Sequence, residues 1–305
     1  MNSEEKYEKT LSNVISDVLN ELWEDIKEEE KVKIVEHIES IRFHYSNISK
    51  LSELDEEDEE YQKMITSPDF DEYGIRFAYV LCYTASHADF VFQTLVRCFE
   101  KSPDILKSRR FVCVGGGPGS DVLGILKFML NQNISDSIMF DILDLKIAWK
   151  STWQEICNKY QQSFHTSYLP FDILGIDEKF VNDNKWKKFD VFTFIYVLSA
   201  LLPQDEDLLR AKKSFCSVFM GAKKGSYFVF IDNGNTKFYK PYLNWTKEHN
   251  LSEIVNDIRE QRISKDERSS ISEYVQNWAA TVNIKNNKFI KKGSRCAAFF
   301  VHQKN

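Results

Sequence analysis

The stretch Phe111-Val112-Cys113-Val114-Gly115-Gly116-Gly117-Pro118-Gly119-Ser120-Asp121 constrains this chain more than any other. An apolar run of strand type enters a cluster of glycines, and the helix-like Val122-Leu123-Gly124-Ile125-Leu126-Lys127-Phe128-Met129 follows at once. Glycine admits positive φ and lets a ligand come close to the backbone. A strand that turns through glycines into a helix belongs to open α/β sheets, whose ligands bind outside the carboxyl ends of the strands. The loop therefore predicts both an architecture and a place for a ligand.

The sequence around the loop agrees. Beyond Arg110, short apolar runs alternate with longer helix-like segments. Strands are expected at 110–115, 137–143, 189–196, 226–231 and 296–302, with weaker candidates near 165–169 and 278–284. Helices are expected near 120–131, 149–161, 206–220 and 250–260. Strand alternating with helix implies a parallel sheet covered on both faces. Upstream, Leu11, Val14, Ile15, Val18, Leu19 and Leu22 recur at three- and four-residue steps, which is one apolar face of a helix. Helical character is expected through residue 48 and again over 73–100, where Tyr and Phe are frequent and Ser67-Pro68-Asp69 marks the preceding turn. The expected organisation is an N-terminal helical segment, 1–105, followed by an α/β domain, 106–305.

Charge separates the same two regions. The whole chain of 305 residues is formally −6, which argues against a generally basic nucleic-acid binder. Residues 1–60 hold 19 acids and 7 bases, a net of −12, so the remainder is +6. The densest acidic run, 53–60, reads as a solvated face or a dock for a basic partner. Cys82, Cys98, Cys113, Cys157, Cys216 and Cys296 are scattered without a Cys-x-x-Cys pair, as are the six His. That spacing fits reduced thiols and does not suit zinc, so no metal is expected. The charged start has no secretory core, and no apolar run is long enough to span a membrane. A cytoplasmic or nuclear protein is expected.

The glycine loop then selects among ligands. A phosphate-binding P-loop needs Lys-Ser/Thr after its last glycine, where Ser120-Asp121 stands. A dinucleotide fingerprint needs Gly or Ala in its last position, where its two frames place Ser120 and Val122. The pattern Gly-x-Gly-x-Gly is met by Gly115, Gly117 and Gly119.

With its surroundings, that pattern resembles the class I S-adenosylmethionine-dependent methyltransferases over roughly residues 108–303. The resemblance implies a three-layer, Rossmann-like domain with a mostly parallel seven-stranded sheet closed by an antiparallel strand at Arg295–His302. It implies S-adenosylmethionine as cofactor, held by Gly115, Gly116, Gly117, Pro118 and Gly119. The family's ribose-binding acid falls on Asp144, with Leu145 beside it; a carboxylate suits a diol because it accepts two hydrogen bonds. Asp141 competes for that role from inside the strand. The adenine acid of the third motif falls on Asp172, with Ile173 against the ring. The fourth motif, Phe189 to Ser199, places Phe194 at the cofactor. In one departure, Cys113 stands where many members carry an acid for the cofactor's methionine end. Asp121 is a candidate for the cofactor's amino group and also for a helix cap.

The remaining candidates have two readings each. Tyr79, Tyr83 and His87 share a helix face at four-residue spacing. Either they pack on the sheet or their polar tips reach cofactor and acceptor, with Tyr79 as a cofactor contact and Tyr83 and His87 in a catalytic role. Trp149 either stacks on adenine or packs its helix. Tyr196 is a catalytic candidate after the fourth strand. Ser199 and Asn233 are substrate-contact candidates after the fourth and fifth. The implied activity is methyl transfer by in-line attack, which needs placement more than a set of catalytic groups. An RNA acceptor is favoured by the basic remainder and by Lys285, Lys288, Lys291, Lys292 and Arg295. A small-molecule acceptor is favoured by a helical lid, and a basic protein by the acidic run. A methyltransferase-like binding protein without activity and a nucleotide-dependent oxidoreductase are the rival readings.

Overall fold

The structure, a computed structural model, describes residues 3–47, 59, 68–134, 137–159, 164–175, 185–201, 205–259, 270–282, 284 and 297–305. The chain forms two compact units. One comprises residues 1–86, 148–161 and 263–294, and the other 87–147, 162–262 and 295–305.

The first unit is helical. Its described elements are α1 (Ser3–Asp25), α2 (Glu28–Lys31), α3 (Ile34–Asn47), α4 (Tyr73–Tyr79), a π-helical turn at Val80–Thr84, and two helices from later in the chain, α7 (Trp149–Lys159) and α11 (Ser270–Thr281). The expected face of α1 is the buried one: Val14, Ile15, Val18, Leu19 and Leu22 are all within the core. Trp23 packs against Phe77 and Trp278 with ring centroids 5.5 and 6.4 Å away. The Trp278 indole N–H donates to Asn20 Oδ1 at 2.6 Å, which satisfies its one donor.

The second unit is the α/β layer structure. Its strands are β1 (Arg110–Val114), β2 (Ile138–Asp144), β3 (Phe164–Pro170), β4 (Val191–Ile195), β5 (Tyr227–Asn233), β6 (Ser252–Arg259) and β7 (Ala297–Gln303). They form one sheet in the order β3-β2-β1-β4-β5-β7-β6. The first five strands of that order are parallel, and β7 runs antiparallel to both β5 and β6. The inner strands are buried on both faces, as the continuous apolar runs Phe111–Val114 and Tyr227–Ile231 require. The flanking helices include α5 (Ala85–Lys101), α6 (Ser120–Asn131), the short α8 (Val197–Ala200), α9 (Asp205–Gly221) and α10 (Thr236–Glu248). Between β1 and β4 the strand order reverses, and this is the crevice where open α/β sheets bind ligands.

Two expected elements are corrected. Where a helix is expected near 250–260, Ser252–Arg259 form strand β6. Ile254, Val255 and Ile258 mimic helical spacing because a register shift between Glu253 and Val255 breaks the strand's alternation. The expected strand at 278–284 falls largely within α11, whose buried Val275, Trp278 and Ala279 sit at helical spacing. Helix α10 has no counterpart in the sequence reading, and it carries Pro241 in its interior, where a proline removes a helical hydrogen bond. It starts at Asn235, whose side chain accepts from Lys237 N–H at 3.1 Å. Phe238, Tyr242 and Trp245 then bury one face of it. The acidic run 53–60, save Glu59, and the basic residues 285–295 lie outside the described residues.

Candidate functional site

The glycine loop begins where β1 ends. Gly115, Gly117 and Gly119 all adopt positive φ, at 68°, 46° and 84°. This is the conformation that only glycine takes without cost, and it explains the alternate-glycine spacing. Gly116 answers a different need: a Cβ there would lie 2.7 Å from Ile142 Cγ2 of β2. Gly115 and Gly116 donate to the Leu143 carbonyl at 2.7 and 3.2 Å, tying the loop to the end of β2. Gly119 then stands at the N-cap position of α6.

Asp144 closes the other side of this turn. Its Oδ2 accepts from Gly117 N–H at 2.8 Å, and its Oδ1 from Lys146 N–H at 2.9 Å. Each oxygen keeps one lone pair for a further donor, so the carboxylate can still receive two hydroxyls. Burial pushes its pKa up to about 6, against the two backbone N–H groups that favour the charged form. The rival Asp141 is engaged inside the sheet, accepting from Ser167 Oγ at 2.7 Å and Lys188 Nζ at 2.6 Å. Beside Asp144, Leu145 is an exposed apolar side chain. Asp172 is exposed two residues beyond β3, with Oδ1 accepting from Leu174 N–H at 2.8 Å; Ile173 is half-buried.

Beneath the loop lies a buried polar cluster. Asp121 Oδ2 accepts from Thr193 Oγ1 at 2.6 Å, and its Oδ1 from Val122 N–H at 3.2 Å. The Cys113 thiol lies beside the same carboxylate and favours its charged form. Burial raises the Asp121 pKa in spite of these donors, and burial together with the Asp121 charge raises that of Cys113. Where the resemblance expects an acid at position 113, the structure holds a thiol paired with an acid from the next helix. Ser120 Oγ, in a residue 6% exposed, has no hydrogen-bond partner among the described residues. A buried hydroxyl of that kind at the start of a helix leaves a donor for a ligand group.

After β4, Tyr196 takes φ 56° and its N–H donates to the Ile231 carbonyl at 2.7 Å. His87 stacks on the Tyr196 ring at 4.4 Å and 20°. Ser199 is buried, its Oγ set 3.4 Å from the Tyr196 carbonyl. The turn is held by Asp232, which is buried at the end of β5. Its Oδ2 accepts from Leu198 and Ser199 N–H at 3.0 and 3.2 Å, its Oδ1 from Asn233 N–H at 2.7 Å. Burial pushes its pKa up to about 6 against those donors. Asn233 is half-buried and spends Oδ1 on Asn235 N–H. Phe194 is fully buried against Phe215 at 4.4 Å.

The second unit thus brings together Gly115–Gly119, Asp121, Asp144, Leu145 and Asp172 around β1–β3. It brings His87, Tyr196, Ser199 and Asn233 together around β4 and β5. Tyr79, Tyr83 and Trp149 belong to the first unit, where Tyr79 packs on Tyr83 and Trp149 at 5.3 and 5.4 Å. Sequence reasoning passed over Asp232, Thr193 and Tyr168, whose hydroxyl donates to the Gly117 carbonyl at 3.0 Å. A lone Thr within Val191–Ile195 and an acid ending the run Tyr227–Ile231 are the signals that mark the first two. Among the described residues no cluster of His, Cys, Asp and Glu could hold a metal, and no helix is long and apolar enough to cross a membrane.

No protein-family profile matches this chain, and no curated protein matches it. Solved structures do. A SAM-dependent methyltransferase from Leishmania major aligns at TM-score 0.43 and 12% identity, over 71% of this chain and 72% of its own. One from Methanosarcina mazei aligns at 0.40 and 10%, over 65% of this chain and 92% of its own. One from Corynebacterium glutamicum aligns at 0.36 and 9%, over 65% and 81%. With these scores below 0.5, the fold assignment rests on the strand order itself. That order describes an α/β, Rossmann-like sheet of seven strands, mostly parallel, with its antiparallel strand next to β5.

Proposed function

We propose that this chain binds S-adenosylmethionine at the carboxyl ends of β1 and β2 and directs transfer of its methyl group to an acceptor. One observation supports the reading above the others. A loop with three glycines at positive φ faces a carboxylate, Asp144, that retains two lone pairs for the cofactor's ribose diol. Leu145 and Ile173 are the apolar contacts for adenine, and Asp172 the acceptor for its amino group. Ser120 Oγ, without a partner among the described residues, and the carboxylate of Asp121 are assigned to the methionine end. Asp121 thereby supplies the charge that Cys113 lacks.

When bound, the cofactor supplies an electrophilic methyl on a sulfonium. The protein's part is to align an acceptor with it and exclude water. Tyr196, Ser199, Asn233 and His87 stand at the end of β4 and β5 for that role. The acceptor class is RNA or a small molecule. Titration calorimetry with S-adenosylmethionine, its demethylated product and NADH tests the cofactor reading. Binding of the first two is expected, and binding of NADH alone would overturn it. Gly117→Arg is expected to abolish cofactor binding with the fold intact. The second reading, a binding protein without activity, is favoured by Cys113. Cofactor binding without any methyl transfer to total RNA or metabolite extracts would select it.

A further inference from the structure

At the opposite, amino-terminal edge of the parallel strands, lysines gather from segments far apart in sequence. The sheet brings them together. Asp190 N–H donates to the Arg110 carbonyl and Tyr227 N–H to the Asp190 carbonyl, so the starts of β1, β4 and β5 lie side by side. Gly225 N–H donates to the Lys304 carbonyl and Lys304 N–H to the Ser226 carbonyl, which adds the end of antiparallel β7. The turn Lys223–Ser226, closed by Ser226 N–H on the Lys223 carbonyl, presents Lys224 at its tip, with Gly225 at φ 84°.

A second contact fixes the distance between two of these segments. Trp186, 2% exposed, packs on Gly221, where a Cβ would lie 2.6 Å from the indole Cδ1. The missing side chain lets the 3₁₀ turn Trp186–Lys188 sit directly on the end of α9. Lys187 and Lys188, on that turn, and Lys223 and Lys224, just past the end of α9, are thereby carried on adjoining segments, which Ser226 Oγ ties further by donating to the Phe189 carbonyl at 3.0 Å. Lys304 Nζ completes the group by donating to the Met220 and Ala222 carbonyls at 2.7 and 2.6 Å. Burial first, then the neighbouring Lys187, lowers its pKa.

Six cations, Arg110, Lys187, Lys188, Lys223, Lys224 and Lys304, stand in this group with two carboxylates interleaved. Asp141 is taken by Lys188, and Asp190 by Lys223 and the N–H groups of Arg109 and Arg110. Lys187 and Lys224 are exposed and have no ion-pair partner among the described residues. Lysines held without counter-charge lower the potential energy of a nearby polyanion and are neutralised when one binds. Met220 and Met139, the latter in register with Arg110, are the large exposed apolar side chains of the described residues at this edge, too little for the inserted apolar face that membrane-surface binding uses.

We infer that this face, formed by residues 187–188, 223–224, 110 and 304, docks the phosphodiester backbone of a nucleic acid. It is separate from the cofactor crevice. The five residues of β4 span the sheet between the two edges, roughly 15 Å at the rise of a strand. The contact therefore anchors a polymer long enough to pass from one edge toward the other, and it reads phosphate rather than sequence. The inference stands on charge and geometry and does not depend on methyl transfer.

The test uses the full chain and fluorescein-labelled 30-mers of single-stranded RNA and DNA, with anisotropy followed from 50 to 300 mM salt. Binding in the micromolar range with a steep salt dependence is expected for this kind of contact. Lys187→Glu/Lys224→Glu is expected to weaken it by about tenfold or more and to flatten the slope of log K against log salt by about 0.7 per lost phosphate contact. Lys213→Glu/Lys240→Glu, at exposed positions of α9 and α10 outside this face, is the charge-matched control and is expected to change little. Preference for RNA over DNA names the source of the backbone; equal binding leaves the docking chemistry as stated. No binding of either polymer overturns the inference. So does equal loss in the control, or binding to phosphatidylserine vesicles with none to nucleic acid. Unchanged binding of the demethylated cofactor in the double variant shows that the site edge is intact. If that ligand does not bind the parent protein while RNA does, the cofactor reading fails and the docking face stands.

Discussion

Gly124→Ala is the substitution whose outcome the packing most sharply determines. Gly124 lies in α6, one turn beyond the glycine loop, where α5 crosses it. A Cβ added there would lie 2.3 Å from the Ala88 carbonyl oxygen, 2.7 Å from Val91 Cβ and 3.0 Å from Val91 Cγ1. Ordinary carbon–oxygen approaches in helix crossings are about 3.3–3.6 Å. One helix must therefore retreat by about 1 Å, and the obstacle is backbone rather than a side chain that can rotate. Overpacking of this kind costs about 1–3 kcal/mol, and the upper half applies where backbone must move. The intrinsic preference of a helix for Ala over Gly returns about 1 kcal/mol. The net is a loss of about 1–2 kcal/mol. For a unit of this size that lowers the unfolding midpoint by roughly 2–8 °C. The same crossing holds the buried pair Lys127–Asp89 at 3.1 Å, so retreat of α5 also stretches an ion pair with little access to water. Thermal unfolding followed by circular dichroism, with urea unfolding alongside, measures the change. A variant as stable as the parent, or more so, would refute the reasoning, because propensity would then have outweighed the crossing. Gly225→Ala separates the two causes. Nothing lies within 4 Å of its added Cβ, yet φ is 84°, so a loss of about 1–2 kcal/mol is expected from backbone strain alone.

Three further outcomes are expected. Cofactor affinity measured by calorimetry should fall as pH drops through about 6, because protonation of Asp144 removes an acceptor from the diol site; flat affinity from pH 7 to 5 would remove Asp144 from that role. His302 is buried between Tyr242 and Thr246, and burial pushes its pKa down to about 4. An unfolded His binds its proton near 6.5, so between those values the unfolded state carries more protons and stability falls as pH falls. Asp144 and Asp232, raised toward 6, act in the opposite direction over part of that range. The difference between the parent and His302→Gln isolates the His302 contribution, which should reach its full size near pH 4. Asp232→Ala should leave Leu198 and Ser199 N–H without an acceptor and lower stability by about 1–3 kcal/mol; a neutral outcome would mean that the β4 turn holds itself.

The inner sheet was legible because its strands are buried on both faces. A run such as Phe111–Val114 has one use in an α/β chain, and the glycines after it mark its end. Asp144, which the resemblance places at the end of the second strand, does end β2 and accepts from Gly117 N–H of the loop. The misread β6 and the unread α10 have causes of their own. In β6 a bulge rearranges which residues face inward, so Ile254, Val255 and Ile258 imitate a helix. In α10 a proline stands where intrinsic preference forbids it, and four aromatic residues buried against the unit outweigh it. Asp232 escaped notice because its partners are backbone N–H groups some thirty residues upstream, which leave no trace in side-chain pattern. The pairing of Asp121 with Cys113 and Thr193 depends on strand adjacency for the same reason.

The helical unit is stitched from three distant stretches of chain, and its aromatic core joins Trp23 and Phe77 to Trp278. On a ribosome that interval is long. At about 5–20 residues per second, α1 emerges roughly 12–50 s before α11 exists to cover it. For that time Val14, Val18, Leu22 and Trp23 have no final partner from α11. The apolar stripe of a 23-residue helix is then a surface that a chaperone could hold or a second nascent chain could capture. The charges interspersed along that helix would act first during synthesis, keeping it soluble until the last segment arrives.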